Sequence, residues 1–100
     1  MQREEIEAMW ERIRALEKNS LEIAREAARF EVASAYNLVV TMLVHFRKPK
    51  EIVSYTKYMQ PRYEAAEETV LGAPSMQEAF RIATDFHNDC LDCLKSREVG

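Results

Sequence analysis

Residues that break helices are scarce in this sequence. It contains two glycines and three prolines among 100 residues, whereas 47% of the residues are hydrophobic and 31% are charged. An all-β domain needs turn-forming residues about every 8 to 12 positions. The scarcity excludes that class, and the abundance of residues that favour helix predicts an all-α fold.

The sequence also lacks a long uninterrupted apolar run. Its most apolar stretch, residues 32–46, is shorter than the roughly 20 apolar residues that a membrane-spanning helix needs. The chain starts with the charged residues Arg3, Glu4 and Glu5 rather than with a basic and then apolar leader. The two cysteines, Cys90 and Cys93, lie three positions apart in a helical context, which fits a reducing compartment. We therefore predict no transmembrane segment and a cytoplasmic location.

There is no excess of positive charge. The formal net charge is -3, which makes nucleic acid an unlikely partner. The charges are unevenly distributed, because residues 47–62 hold five basic residues against one acid, and residues 64–92 hold seven acids against Arg81. The two segments are therefore complementary in charge.

The few helix breakers divide the chain into three predicted helices within a single domain, residues 1–100. The first spans about residues 3–46, the second 50–71, and the third 76–96. Pro49 suits the opening turn of the second helix, which we expect to kink at Pro61 because that residue cannot donate the helical hydrogen bond.

Two local sequences bear on where the helices begin. Residues 75–78, Ser-Met-Gln-Glu, form a capping box for the third helix, on which we expect Met76 and Phe80 to be buried. Asn19 could likewise start a new helix and divide the first helix in two. The apolar spacing keeps its phase across Asn19, however, which favours one continuous helix about 65 Å long.

A row of apolar residues, called here the seam, follows the first helix at steps of three and four. So long a helix cannot bury this whole face against the rest of a 100-residue chain. We therefore predict a homodimer or a larger bundle that assembles through the seam. The seam consists of Ile6, Met9, Ile13, Leu16, Ile23, Ala27 and Phe30.

A second candidate surface combines basic and aromatic residues. Tyrosine and arginine are enriched at protein interfaces, and basic residues suit an anionic partner. The alternative is a charged loop followed by a helix whose tyrosines cover the core. The residues concerned are Arg47, Lys48, Lys50, Tyr55, Lys57, Tyr58 and Arg62.

His87, Cys90 and Cys93 lie at spacings of three, and all three are of residue types that bind zinc or copper. Spacings of three fan these side chains around a helix, and no second group of ligands accompanies them, so packing is the favoured interpretation. A cysteine pair near the end of a helix also lacks the dipole that activates redox thiols. We therefore predict no enzyme activity and no cofactor, with metal binding at these three residues as a minor alternative.

Parts of residues 19–71 resemble the phasins, which coat polyhydroxyalkanoate granules. The resemblance implies an amphipathic helical protein that oligomerises and lays apolar faces on a polyester surface; it implies no catalytic residue. It is carried by NSLEIAREAARF at 19–30, ASAY at 33–36, PKEI at 49–52 and YEAA at 63–66.

Taken together, these patterns predict a non-enzymatic helical interaction protein whose partner is a protein or a hydrophobic granule surface. The alternatives are a small, phage-type regulator or inhibitor of a larger protein complex, and a metal-binding protein.

Overall fold

The computed structural model describes residues 2–99, and the side chains of residues 2–96. It consists of three α-helices, α1 (Arg3–His45), α2 (Pro49–Leu71) and α3 (Met76–Val99), and the described residues contain no strand. The predicted all-α fold, with one long helix before two shorter ones, is confirmed.

Helix α1 runs unbroken through Asn19, so the alternative of two shorter helices is excluded. No proline or glycine interrupts residues 3–45, and a residue that can cap a helix does not end one when the apolar pattern continues on both sides. The long α1 gives the molecule its longest dimension of 69 Å.

The three helices form an up-down-up bundle. The Arg29–Glu67 ion pair and the hydrogen bond from Tyr36 to Gln60 fix α1 and α2 as antiparallel neighbours. Helix α3 packs against both, and its Cys90 lies beside Tyr55 of α2. The buried row of α1 consists of Ala24, Ala28, Val32, Ala35, Val39 and Leu43.

The turn between α1 and α2 contains a backbone conformation that L-residues rarely adopt. Arg47 has φ 56°, and its amide donates to the Val44 carbonyl while the Lys48 amide donates to the Leu43 carbonyl. This pair of bonds is the Schellman ending of a helix, in which glycine usually occupies the left-handed position. Pro49 then opens α2, as its fixed φ angle favours.

Helix α2 continues across Pro61 to Leu71, and the kink at Pro61 stays a prediction. The start of α3 is capped by Ser75, whose hydroxyl accepts a 3.1 Å hydrogen bond from the Glu78 amide. The Glu78 carboxylate binds Arg81, which holds the pKa of Glu78 below its ordinary value. Half of the predicted capping box is therefore present.

Helix α1 includes an 18-residue stretch with a mean hydropathy of 1.2, long and apolar enough to cross a membrane. Of that stretch, 28% is buried inside the bundle. A core helix of a bundle meets the same two conditions, so the observation is weak evidence for a membrane span.

Candidate interaction surfaces

Helix α1 extends beyond the other two helices at its N-terminal end. Every residue from 3 to 20 is exposed, and the first fully buried residue of α1 is Ala24. At 1.5 Å per residue these 18 residues, called here the overhang, project about 27 Å. The overhang carries large apolar side chains that neither α2 nor α3 covers, including Ile6, Ile13 and Leu16.

The seam and the buried row occupy two different faces of α1. Ile23 is 69% exposed and Phe30 is 75% exposed, whereas Ala24 and Ala28 beside them are buried. The helix packs against α2 and α3 through its small residues and leaves the larger ones in solvent. All the seam residues are therefore exposed, in a row that drifts slowly around α1 from Ile6 to Phe30.

The position of α2 shows which neighbour the seam borders. Arg29 and Tyr36, which bond to α2, lie on one side of the buried row, since successive residues turn by 100°. Ile23 and Ala27 lie on its other side. The seam therefore borders α3 rather than α2.

Two exposed apolar residues of α3 were expected in the core. Phe80 is 40% exposed and Met76 is 48% exposed, and the buried positions are instead Ala79 and Ala83. Ile82 and Phe86 of α3 line the groove shared with α2, so Phe80 projects toward the opposite side, where the seam lies. The prediction that Met76 and Phe80 are buried is wrong because alanine lets the helices approach more closely.

Trp10 is the single tryptophan of the chain and is 55% exposed on the overhang. Counted by sevens along the helix, it occupies the same position as Ala24, the first residue of the buried row. Sequence reasoning missed Trp10, although a tryptophan at a spacing of four from Ile6 is the signal that could have found it.

The predicted basic and aromatic surface requires one correction. Tyr55 is fully buried, and its hydroxyl donates to the Tyr36 carbonyl oxygen at 3.1 Å and lies 3.5 Å from the Cys90 sulfur. Burial raises the pKa of Tyr55 well above its ordinary value. Tyr55 is a core residue because it faces both neighbouring helices, so it cannot belong to a binding surface.

The remaining residues of that surface separate into two groups. Arg47, Lys48 and Lys50 lie at the turn between α1 and α2. Lys57, Tyr58 and Arg62 lie further along α2 and are exposed.

Arg62 connects the second group to α3. Its guanidinium carbon is 3.7 Å from the centroid of the Tyr58 ring, and its Nη1 donates to the Tyr58 carbonyl at 2.8 Å. The same two residues line a groove with Asp89 and Asp92 of α3. The charge complementarity seen in the sequence therefore lies partly within the molecule.

The cysteines pack against core side chains. Cys90 is buried beside Tyr55, and the Cys93 sulfur is 3.7 Å from the Met59 sulfur. Burial raises the pKa of the Cys90 thiol to about 11, although the Tyr55 hydroxyl opposes the shift. Within the described part of the chain, no three histidine, cysteine or acidic residues gather as a metal site, so His87, Cys90 and Cys93 are not brought together as ligands.

The geometry defines a class of protein: a three-helix bundle with an extended N-terminal helix and an exposed apolar face. Comparisons with protein-family models, with curated proteins and with solved structures find no match to this chain.

Proposed function

We propose that this chain is a non-enzymatic helical interaction protein that self-associates through the seam. The observation that carries the proposal is the row of large apolar side chains exposed from Ile6 to Phe30. Burying a fully exposed isoleucine, leucine or phenylalanine contributes about 1.5–3 kcal/mol. The large seam residues are 39–75% exposed, so each contributes part of this amount, and a second copy would bury several from each chain. These contributions offset the cost of association, which is about 4–15 kcal/mol.

The overhang supports the same proposal through its own stability. Isolated helices shorter than about 12–15 residues are marginal in water, and longer ones gain most of their stability from packing. The 18 residues of the overhang have no helix of their own chain to pack on. A second copy would supply that packing.

The solution mass across a dilution series tests self-association. Light scattering should give an oligomer at high concentration, and Ile23→Glu should give a monomer, since it places a charge in the middle of the seam. Val44→Glu is the matched control, because Val44 is also exposed on α1 but lies outside the seam. A wild-type monomer at every concentration, or an oligomer equally disrupted by both variants, would contradict the proposal.

A granule surface is a second candidate occupant of the seam, in line with the resemblance to phasins. The continuous apolar face favours it, because a helix can lie on an apolar surface through such a face. Polyhydroxybutyrate particles should then retain the wild-type protein and release Ile23→Glu, with Val44→Glu retained. Equal retention of all three proteins would argue against this candidate.

A larger protein complex is a third candidate partner, through the basic group Arg47, Lys48 and Lys50. The exposure of Arg47 and Lys50 at one end of the bundle favours it. Such binding should weaken as salt screens the charges. Capture of one stoichiometric host protein by the wild type, and its loss in the double variant Arg47→Glu, Lys50→Glu, would support this role; recovery of granule or lipid material alone would oppose it.

A further inference from the structure

We infer that the second copy binds antiparallel, so that the overhang of each chain lies along the seam of the other and Trp10 covers Phe80. This inference rests on the self-association proposed above and specifies its geometry. Ser20 fills the gap in the seam between Leu16 and Ile23. With Ser20 included, the steps between successive residues are 3, 4, 3, 4, 3, 4 and 3, which is the same series in either direction along the helix. An antiparallel pair therefore brings every seam residue opposite another.

The sizes of the opposed side chains favour this direction. Antiparallel pairing sets Met9 against Ala27 and Leu16 against Ser20 of the second copy, with Ile13 against Ile23 and Ile6 against Phe30. Parallel pairing would oppose Ser20 to Ser20 and Ala27 to Ala27. Two layers of small residues leave voids, whereas one large residue in every layer fills the space between the helices.

The charges beside the seam favour the same direction. Arg12 is exposed, and no hydrogen bond or ion pair is found for it among the described residues. In the antiparallel pair it lies beside Glu26 of the second copy, and the twofold symmetry repeats this contact. Glu17 meets its own copy once in this arrangement. In the parallel pair Arg12 would lie beside Glu17, but Glu26 would meet Glu31 of the other chain twice, so the antiparallel pair has fewer repulsive contacts.

The position of α3 along the axis of α1 places Phe80 at the same level as Trp10 of the second copy. Cys90 lies level with Tyr36, because the Tyr55 hydroxyl contacts both. Phe80 precedes Cys90 by ten residues on a helix that runs parallel to α1, so it is level with about Glu26. In the antiparallel pair Trp10 of the second copy lies at that same height.

Trp10 also lies on the correct side of the pair. In the seven-residue repeat of the seam, Trp10 occupies the same position as Ala24, which is buried against the bundle. Antiparallel helices bring these positions together, so Trp10 points toward the bundle of the other chain. One contact thus covers two of the exposed aromatic side chains, Trp10 and Phe80.

The fluorescence of Trp10 tests this contact, because no other tryptophan contributes. Its emission maximum should move to shorter wavelength as the wild type associates, and Phe80→Ala should remove most of that shift. Val53→Ala, which shortens an exposed side chain far from the seam, should leave the shift intact. A shift that persists in Phe80→Ala, while light scattering still gives a dimer, would overturn the antiparallel contact.

Charge reversal tests the direction independently of Phe80. Arg12→Glu should weaken the dimer about tenfold, since it converts two attractive contacts to repulsive ones. Adding Glu26→Arg should restore the affinity, and adding Glu17→Arg should not. Recovery with Glu17→Arg instead would establish a parallel pair and overturn the inference. Absence of any dimer in the wild type would also overturn the self-association on which it rests.

Discussion

The Nε of Arg25 donates a hydrogen bond of 2.9 Å to the carbonyl oxygen of Ala73. This contact joins α1 to the loop between α2 and α3, across 48 positions of sequence. It lies where the bundle ends and the overhang begins.

We expect Arg25→Ala to lower the free energy of unfolding by about 1.5 kcal/mol, because a charged donor to a partly buried carbonyl is lost. Urea unfolding, followed by circular dichroism, measures the change. Arg14→Ala is the matched control, since Arg14 is an exposed arginine on the overhang. Equal midpoints for the two variants would show that the Ala73 contact contributes nothing.

Replacing Arg47 by glycine should stabilise the bundle. A left-handed conformation costs an L-residue about 1–2 kcal/mol, and glycine avoids that cost but loses more chain entropy on folding. We expect a net gain of about 0.5–1 kcal/mol in urea unfolding. Arg47→Ala removes the same charge but keeps the unfavourable φ angle, so a similar gain in that variant would assign the effect to charge.

The stability should fall in alkaline solution because of Cys90. Its folded-state pKa is about 11 against an ordinary value of 9.0, so above pH 9 the unfolded chain releases a proton that the folded chain retains. The contribution of the Cys90 thiol to the free energy of unfolding is therefore complete below about pH 9, and it is lost as the pH rises toward 11. Urea unfolding at several pH values should give a shallower decline for Cys90→Ala than for Cys93→Ala, and equal slopes would contradict the assignment.

Removing residues 1–18 should separate folding from assembly. Because every residue of the overhang is exposed, the truncated chain should keep the urea midpoint that the full chain shows when it is dilute. It should remain a monomer by light scattering at every concentration. A large loss of stability in the dilute truncated chain would mean that the overhang supports the bundle.

The number and order of helices were predictable because their boundaries have local causes. Pro49 starts one helix, Ser75 caps another, and the unbroken spacing around Asn19 carries α1 through a residue that could have ended it. The burial of Tyr55 was not predictable in the same way. A tyrosine among basic residues suits a surface and a core equally until the neighbouring helices are in place.

The sequence assigned the seam to self-assembly, but apolar spacing alone does not separate a buried face of α1 from an exposed one. The seam and the buried row are both apolar, and hydropathy alone favours the row with the larger residues. The bundle instead buries alanines, such as Ala24, Ala28 and Ala83. Close packing decides which face of α1 is buried, and that packing depends on all three helices at once.

The exposed overhang makes the helix content of this protein depend on its concentration. Residues 24–43 of α1 are held by their own chain and stay helical at any dilution, whereas residues 3–20 have no such support. Heating should therefore show two events, an early loss of helix that moves to higher temperature as protein is added, and a later one that does not move. One continuous helix would thus melt in two parts, one belonging to the monomer and one to the assembly.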